Sequence, residues 1–417
     1  MFKIKYLDKL IIFLMFWLLP VDTLHGFVMQ KGINLPISIG QFYKFIIIVL
    51  LLFRFLFRPK SLFISVFFVL ILILPTVYQI IKQGDVTFLF SDIIKISKYL
   101  APLFAFLFFV DYIKREGEHG IKILLKLIQF SYIILIGNVF LKYVGLGYPM
   151  YEYGNIGSKG FIYAGNEISA LLVILSAIIA YDLWRRGENL KYFLFWGLTF
   201  FAGLTVGSKT GSIGVLVIFL LIPLKRPSFR ISLKKILFFF ISFFAIIPAA
   251  LYFAWFYIQD TQLYIRLDYF YKKSDFLTFI LSNRNVFFEN AHKNYIEEYS
   301  LLEKIIGIGQ TNYESLNNGQ IVEIDMADIL FSLGIFGLIY LFAITLFLLI
   351  QAFRFSTNRN YTYSKFVLLM IFVLFGISAT AGHIYSSAMI AVFMGLLFAL
   401  MYFKKDVSNE ELNTIDR

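Results

Sequence analysis

The chain has 417 residues, of which 59% are hydrophobic and 19% aromatic, and its mean hydropathy is +0.78. A soluble protein could not cover so much apolar surface, so the composition predicts a helical membrane protein. The apolar runs lack the alternation of membrane β-barrel strands, which excludes that class. The net charge of +12 would suggest nucleic acid in a soluble chain, but most Lys and Arg fall in short loops, so no nucleic-acid partner is expected.

Taken in chain order, the apolar runs predict an all-α fold of about twelve membrane-spanning helices in one membrane domain, 1–417. The first run lacks a small-residue cleavage site and ends at Leu19-Pro20, so we interpret it as a retained helix. The predicted spans are 8–20, 41–57, 61–81, 92–111, 121–143, 166–183, 191–206, 211–224, 234–257, 324–351, 363–381 and 384–403.

Orientation in the bilayer follows from the basic residues, because cytoplasmic loops are enriched in Lys and Arg. Every second loop, starting with the N-terminus, is basic, and these segments carry 24 of the 38 Lys and Arg residues. We therefore expect both termini in the cytoplasm. Residues 258–321 then form a large outer loop between the ninth and tenth spans, and the helical spacing within it predicts amphipathic helices on the membrane surface.

Three acids stand where this loop meets the tenth span, namely Glu323, Asp325 and Asp328. Acids at a helix N-terminus often serve as caps, and this is the stronger interpretation for Asp325 and Asp328. Three acids exceed what capping requires, and a carboxylate beside the low-dielectric bilayer can act as a general base. Glu323 is therefore the candidate base, with Asp325 as a supporting catalytic residue.

Cations able to hold a phosphate occur at two places on the predicted outer face. The sequence GSKTG at 207–211 predicts a tight turn that presents Lys209 at the start of a helix, although a snorkelling lysine fits equally well. It is not a P-loop, because that motif has Gly directly before Lys. In the large loop, Arg284 is the first candidate and Arg266 the second.

Other outer residues have weaker signals. His383 follows the eleventh span, where an imidazole could donate to a phosphate or a sugar hydroxyl, or could be hydrogen-bonded in the packing. Tyr151, Tyr153 and Tyr313 are candidates for stacking on sugar rings, with interfacial anchoring as the alternative. The chain has no cysteine, and no spacing of His, Asp and Glu predicts a metal site, so we expect neither a metal nor another cofactor.

Five segments together resemble the O-antigen ligase/polymerase superfamily of membrane glycan polymerases and ligases. Lys209 stands where the family usually has Arg. The ligase branch typically has a His-Asn pair that lies eleven and ten residues before the first Gly of a Gly-x-x-Gly motif. Counted back from Gly334, these two positions are occupied by Glu323 and Ile324. The absence of the His-Asn pair favours the polymerase branch. The segments are FIYAGNEISALL at 161–172, GSKTG at 207–211, LSNR at 281–284 with IIGIGQTNY at 305–313, VEIDMADILFSLGIFGLIY at 322–340, and TAGHIYSSAM at 380–389.

The resemblance implies a metal-independent, inverting glycosyltransferase of the bacterial cytoplasmic membrane that makes O-antigen, capsule or exopolysaccharide. The donor would be a glycan on undecaprenyl diphosphate, and the acceptor would be the non-reducing end of another lipid-linked repeat unit. Arg284, Arg266 and Lys209 would hold the diphosphate, and a chain-length regulator and a flippase would be partners. The alternatives are a ligase that moves finished glycan to another acceptor, a lipid-linked glycan transporter whose cavity could include Lys95 and Lys98, and a non-catalytic assembly subunit.

Overall fold

The computed structural model describes residues 2–33, 38–162, 165, 167–223, 264, 268, 272–273 and 275–405. Every regular element in these ranges is a helix, and strand pairing there is limited to two isolated bridges, Tyr148 with Gly160 and Tyr151 with Ile156. This confirms the all-α prediction for the described residues. The predicted span 234–257 and Arg266 lie outside them.

The α-helices are accompanied by short 3-10 turns at Leu141–Val144, Tyr153–Asn155 and Leu400–Tyr402. In chain order they are α1 (Phe2–Phe16), α2 (Leu18–Gln30), α3 (Ile39–Phe55), α4 (Pro59–Gln83), α5 (Leu89–Phe140), α6 (Glu167–Arg185), α7 (Asn189–Val206), α8 (Lys209–Leu221), α9 (Phe276–Leu281), α10 (Arg284–Glu297), α11 (Leu301–Ile306), α12 (Gln310–Leu316), α13 (Asp325–Ser356), α14 (Ser364–Thr380) and α15 (Ala388–Ala399).

Four of the described helices are long and apolar enough to cross a membrane: α4, α5 with its extension to Val144, α6 and α13. The pair α1 and α2, bent by 42°, makes a fifth if it forms one span. The helices α8, α14 and α15 are apolar but shorter. The chain is therefore built as a membrane protein, and the number of twelve spans stays a prediction.

The helix α5 contains 52 residues and is broken at Gly117, whose φ of 53° and ψ of −130° are not helical. A straight helix of that length would extend about 78 Å, more than twice the thickness of a bilayer's hydrocarbon core. Its two halves instead return to the same end of the molecule. Lys98 of the first half lines a cavity with Ile162, while the neighbouring Phe161 N–H donates to Asn138 Oδ1 of the second half at 3.1 Å. Therefore α5 folds back near Gly117.

The centre of the bundle is formed by α5, α6 and α15, which contact one another. Residues 168–180 of α6 are buried throughout. Gly395 of α15 lets this helix approach α5 closely, because a Cβ there would lie 2.6 Å from Ala105 Cβ. In contrast, α4 and α13 carry exposed apolar side chains such as Phe63 and Phe353, as expected for helices facing lipid.

The described part of the large loop is attached to the bundle by polar contacts. The Glu303 carboxylate of α11 accepts hydrogen bonds from Gln79 Nε2 and Lys82 Nζ of α4, both at 2.7 Å. Lys95 Nζ of α5 lies 2.7 Å from Glu314 Oε2 of α12. These contacts place α11 and α12 over the ends of α4 and α5, on the same side of the bundle as the start of α13.

Candidate functional site

The three predicted acids lie around the N-terminus of α13 in three different environments. Glu323 precedes the helix and has a φ of 62°, a left-handed conformation that is uncommon for a residue with a side chain. Asp325 and Asp328 are buried in the first turn. The N-cap of α13 is Ile324, and no side chain caps the helix there. The capping interpretation of Asp325 and Asp328 was therefore wrong, because both carboxylates bond to other segments.

Glu323 contacts two of the predicted site residues directly. Arg284 Nη2 donates to Glu323 Oε2 at 2.7 Å, and Arg284 Nε donates to the Glu323 backbone oxygen at 3.1 Å. His383 Nε2 lies 3.8 Å from Glu323 Oε1. The Glu323 side chain remains 37% exposed, whereas that of Arg284 is only 9% exposed. The structure thus brings together three residues from three segments, and it leaves the carboxylate accessible.

The electrostatics of this cluster favour the charged forms. Burial alone would raise the pKa of Glu323, but the adjacent His383 and Arg284 outweigh it and hold the pKa below its ordinary value. Burial disfavours the imidazolium form of His383, yet the Glu323 carboxylate raises the pKa of His383 above its ordinary value. Lys209 lies near enough to Arg284 for their charges to interact. Arg284, His383 and Lys209 thus place three cationic side chains near Glu323, and the cluster can hold an anionic ligand.

The backbone of the cluster is strained at each of its three segments. Glu323, His383 and Asn283, which precedes Arg284, have φ values of 62°, 59° and 69°. Such conformations cost on the order of 1–3 kcal/mol each and concentrate at functional sites. Gly382 also has a positive φ, of 59°, and a Cβ there would lie 2.2 Å from the Glu323 carbonyl oxygen. The segment that carries His383 is therefore packed directly on the backbone of Glu323.

Asp325 holds this same segment. It is only 1% exposed. Its carboxylate accepts hydrogen bonds from Ser378 Oγ at 2.8 Å, from the Ile384 and Tyr385 N–H groups at 2.9 and 3.2 Å, and from Ser386 Oγ at 3.2 Å. These contacts occupy the carboxylate and fix the backbone next to His383. The geometry makes Asp325 a positioning residue.

Tyr313 does not fit its predicted role in sugar stacking. Its side chain is 0% exposed, and its ring packs near Phe331 with the centroids 6.0 Å apart. The Tyr313 hydroxyl donates to Asp328 Oδ1 at 2.7 Å, and the Val322 N–H donates to the same oxygen at 2.9 Å. Tyr313 and Asp328 therefore brace the approach to α13, and the buried ring offers no face to a sugar.

The turn that carries Lys209 is fixed by small residues. Gly207 has a φ of 77°, and Ser208 caps α8 by accepting a hydrogen bond from the Gly211 N–H at 3.0 Å. Ser208 Oγ also lies 2.5 Å from Ser169 Oγ of α6. These contacts account for the GSKTG sequence, since they place Lys209 at the first position of α8.

The predicted glycan-binding residues Tyr151 and Tyr153 lie in a segment that touches this turn. The Ser158 N–H donates to the Val206 oxygen at 3.4 Å, and a Cβ at Gly207 would lie 2.9 Å from Gly157 Cα. Tyr151 is half-buried, and Tyr153 begins a 3-10 turn. Their binding of glycan stays a prediction.

A cavity of about 320 Å³, called the transfer cavity below, opens beside His383 and Asp328. Its polar wall also includes Lys95, Lys98, Glu167 and Glu314. The sequence had offered the two lysines as cavity residues only under the transporter alternative, because they lie within an apolar helix. It gave no signal for Glu314, whose place depends on how α12 docks. Within the described residues, no three His, Asp or Glu side chains are arranged to hold a metal ion.

The fold and this cluster define a helical membrane protein with a polar, cation-rich site at one end of its bundle. The sequence profile of the family described as "O-antigen ligase like membrane protein" matches residues 3–226 and 262–405, and the chain belongs to this family. This confirms the resemblance seen in the sequence. The family implies a glycosyltransferase-like enzyme of O-antigen processing, and it includes both polymerase and ligase functions. A search of curated proteins found no match.

Proposed function

We propose that the chain is a polysaccharide polymerase of the O-antigen, capsule or exopolysaccharide type. It transfers a glycan from undecaprenyl diphosphate to the non-reducing end of another lipid-linked repeat unit, on the outer side of the bacterial cytoplasmic membrane. The observation that carries the proposal is the accessible Glu323 carboxylate held between Arg284 and His383 beside the transfer cavity. Glu323 also occupies the position at which the ligase branch typically has a histidine, and this difference favours a polymerase over a ligase.

In the proposed reaction, an acceptor hydroxyl oxygen attacks the anomeric carbon of the donor sugar from the face opposite the diphosphate. The bond from that carbon to the phosphate oxygen breaks, and the diphosphate leaves with the electron pair. The hydroxyl proton passes to the Glu323 carboxylate, so Glu323 is the general base. The donor is already activated, and the configuration at the anomeric carbon is inverted.

Arg284 is suited to link the base to the leaving group. A guanidinium has five N–H groups. Three are used on protein oxygens, through Nε and Nη2 to Glu323 and through Nη1 to the Leu281 carbonyl at 3.3 Å. The remaining two can bind diphosphate oxygens. Under this proposal Lys209 and His383 add positive charge where the diphosphate develops its negative charge, and Arg266 stays a further candidate.

The test replaces the base and the arginine and compares each with a matched surface variant. Glu323→Gln and Arg284→Ala should leave the protein inserted at normal levels, while long glycan chains disappear and single lipid-linked repeat units accumulate. Glu297→Gln and Lys293→Ala are the controls, because both side chains are exposed on α10; they should give normal chain lengths. Normal polymer in Glu323→Gln and Arg284→Ala cells would refute the site.

A ligase is the second candidate, and His383 is the observation that favours it. Its imidazole lies 3.8 Å from the Glu323 carboxylate, so it supplies a histidine near the position where the ligase branch has one. Deletion of the chain distinguishes the two functions. Loss of a polymerase leaves single repeat units on the lipid, whereas loss of a ligase leaves long chains on undecaprenyl diphosphate.

A further inference from the structure

A second cavity, of about 300 Å³, adjoins the transfer cavity. Its polar wall comes from α2 and α3 and includes Asp22, His25, Gln41 and Lys44. Lys98 and Glu167 line both cavities. The two cavities therefore lie on either side of these shared residues, next to each other.

Hydrogen bonds connect polar residues of the second cavity's wall. Lys44 Nζ donates to Asp22 Oδ1 at 2.7 Å, and His25 Nε2 lies 2.9 Å from Ser38 Oγ. Gly40 makes room for the carboxylate, because a Cβ there would lie 2.3 Å from Asp22 Oδ1. The contacts hold side chains from two helices in fixed positions, as a binding site requires.

Two buried polar atoms of this wall are unsatisfied. Asp22 Oδ2 and His25 Nδ1 have no hydrogen-bond partner among the residues that the structure describes. Asp22 is only 6% exposed. Buried polar atoms are nearly always hydrogen-bonded, so an orphaned pair beside a cavity points to a ligand with hydroxyl groups, which both donate and accept.

The charges of the second cavity differ from those around Glu323. Lys44 and Lys98 are balanced by Asp22 and Glu167, whereas the Glu323 carboxylate lies against two cationic side chains, Arg284 and His383. A balanced wall suits a neutral, hydroxyl-rich ligand better than a diphosphate. Phe45 also lines the cavity and is 37% exposed, and it offers a flat apolar face to the C–H side of a sugar ring.

We propose that the second cavity binds the terminal sugar of the acceptor glycan, with Asp22 hydrogen-bonded to its hydroxyl groups. This inference rests on the proposed polymerase function and adds where the acceptor lies. The volume is at the lower limit for a small-ligand site, which suits the end of a glycan. The transfer cavity is then left for the donor, with its diphosphate at the cation-rich cluster.

The test uses the absence of cysteine from the chain. Gln41→Cys places a single thiol at the second cavity, and Gln320→Cys is the matched control, because Gln320 is exposed and lines neither cavity. The full-length protein is purified into nanodiscs and its reaction with a water-soluble maleimide is timed. The probe is the repeat-unit oligosaccharide released by mild acid from the host's own lipid-linked intermediates. It should slow labelling of Gln41→Cys several-fold and leave Gln320→Cys unchanged.

Two results would overturn the proposal. The first is that Gln41→Cys is labelled equally fast with and without the oligosaccharide. The second is that undecaprenyl phosphate, added instead of the oligosaccharide, protects the thiol, because the cavity would then be a lipid site. Adding Asp22→Asn to Gln41→Cys should abolish the protection, and persisting protection would refute the role of Asp22. Protection of the thiol requires no turnover, so this test is independent of the proposed function. Protection can be absent although polymer forms normally, which would refute only the acceptor site. Protection can also be present although Glu323→Gln makes normal polymer, which would refute only the proposed catalytic site.

Discussion

The carboxylate of Glu323 combines two properties that usually oppose each other. It is partly buried, which favours the neutral acid, yet His383 and Arg284 lower its pKa and favour the ionised form. An ionised carboxylate is ready to accept a proton, although its lowered pKa makes it a weak base. Under the proposed mechanism its first task is therefore to orient the acceptor hydroxyl, and the proton moves as the diphosphate departs.

The pair Glu323 and His383 predicts a window of pH for activity. The pKa of Glu323 is lowered from 4.5, and that of His383 is raised from 6.5. Between pH 4.5 and pH 6.5, Glu323 is ionised and His383 is protonated, so the two attract each other. This attraction is lost when the pH falls through the lowered pKa of Glu323, and also when it rises through the raised pKa of His383. A plot of the initial rate of polymer formation in proteoliposomes against pH should therefore fall on both sides of this window, with an acidic limb and an alkaline limb. His383→Gln should remove the alkaline limb, and an unchanged limb would contradict the assignment.

Arg284 is expected to resist replacement by lysine. Lysine keeps the charge but cannot reproduce the two contacts of Nε and Nη2 with Glu323. Arg284→Lys should therefore slow polymer formation by at least about tenfold, equivalent to about 1.4 kcal/mol. The control is Arg359→Lys, an exposed residue between α13 and α14. Quantified chain-length gels measure the effect, and a wild-type pattern for Arg284→Lys would show that charge alone suffices.

Residue type and helix boundaries indicated Glu323, Arg284 and His383 from the sequence. Residue type and helix boundaries could not indicate that Arg284 contacts Glu323 directly. The two residues are far apart in the chain, and the contact depends on left-handed backbone conformations at Asn283 and Glu323. The same sequence reasoning misjudged Tyr313, since an aromatic residue in a polar loop gives no sign that its ring is fully buried. Burial depends on tertiary packing, which residue type alone does not specify.

Among the elements, the connection between α14 and α15 controls the site through one glycine. Gly382→Ala should abolish polymer formation, because φ is +59° there and the new Cβ would lie 2.2 Å from the Glu323 carbonyl oxygen that Arg284 binds. Gly376→Ala within α14 is the control, since a Cβ there meets nothing within 4 Å. Both proteins are compared by membrane content and chain-length gels. Normal polymer from Gly382→Ala would show that this contact is dispensable.

The helices were easier to predict than their ends. The predicted spans 92–111 and 121–143 correspond to the two halves of α5, because Gly117 lies in the polar stretch between them. The first predicted span ends at Pro20, whereas the helix continues past this residue. Pro20 lies in the first turn of α2, where a missing N–H costs little, and the helix continues to Gln30. A proline is compatible with a helix start as well as with an end.

On the scale of the whole molecule, the charges divide between the two ends of the bundle. At the predicted cytoplasmic end, Arg54 is 2% exposed and bonds to Asp8 of α1 and Asp111 of α5 at 2.6 and 2.5 Å. A buried arginine paired on two sides fixes the relative positions of these helices. At the other end, cations and acids together line a cavity beside an accessible carboxylate. The first arrangement suits structure, and the second suits a ligand.

This division predicts which residues face outward. Ser315 lies on α12 beside the site, and Glu118 follows the break in α5; both side chains are exposed. In the cysteine-free chain, Ser315→Cys should react with an impermeant maleimide in intact right-side-out vesicles. Glu118→Cys should react only after the vesicles are permeabilised, because α5 would cross the membrane twice and turn on the cytoplasmic side. The reverse pattern would invert the topology, and labelling of both in intact vesicles would show that α5 does not form a membrane hairpin.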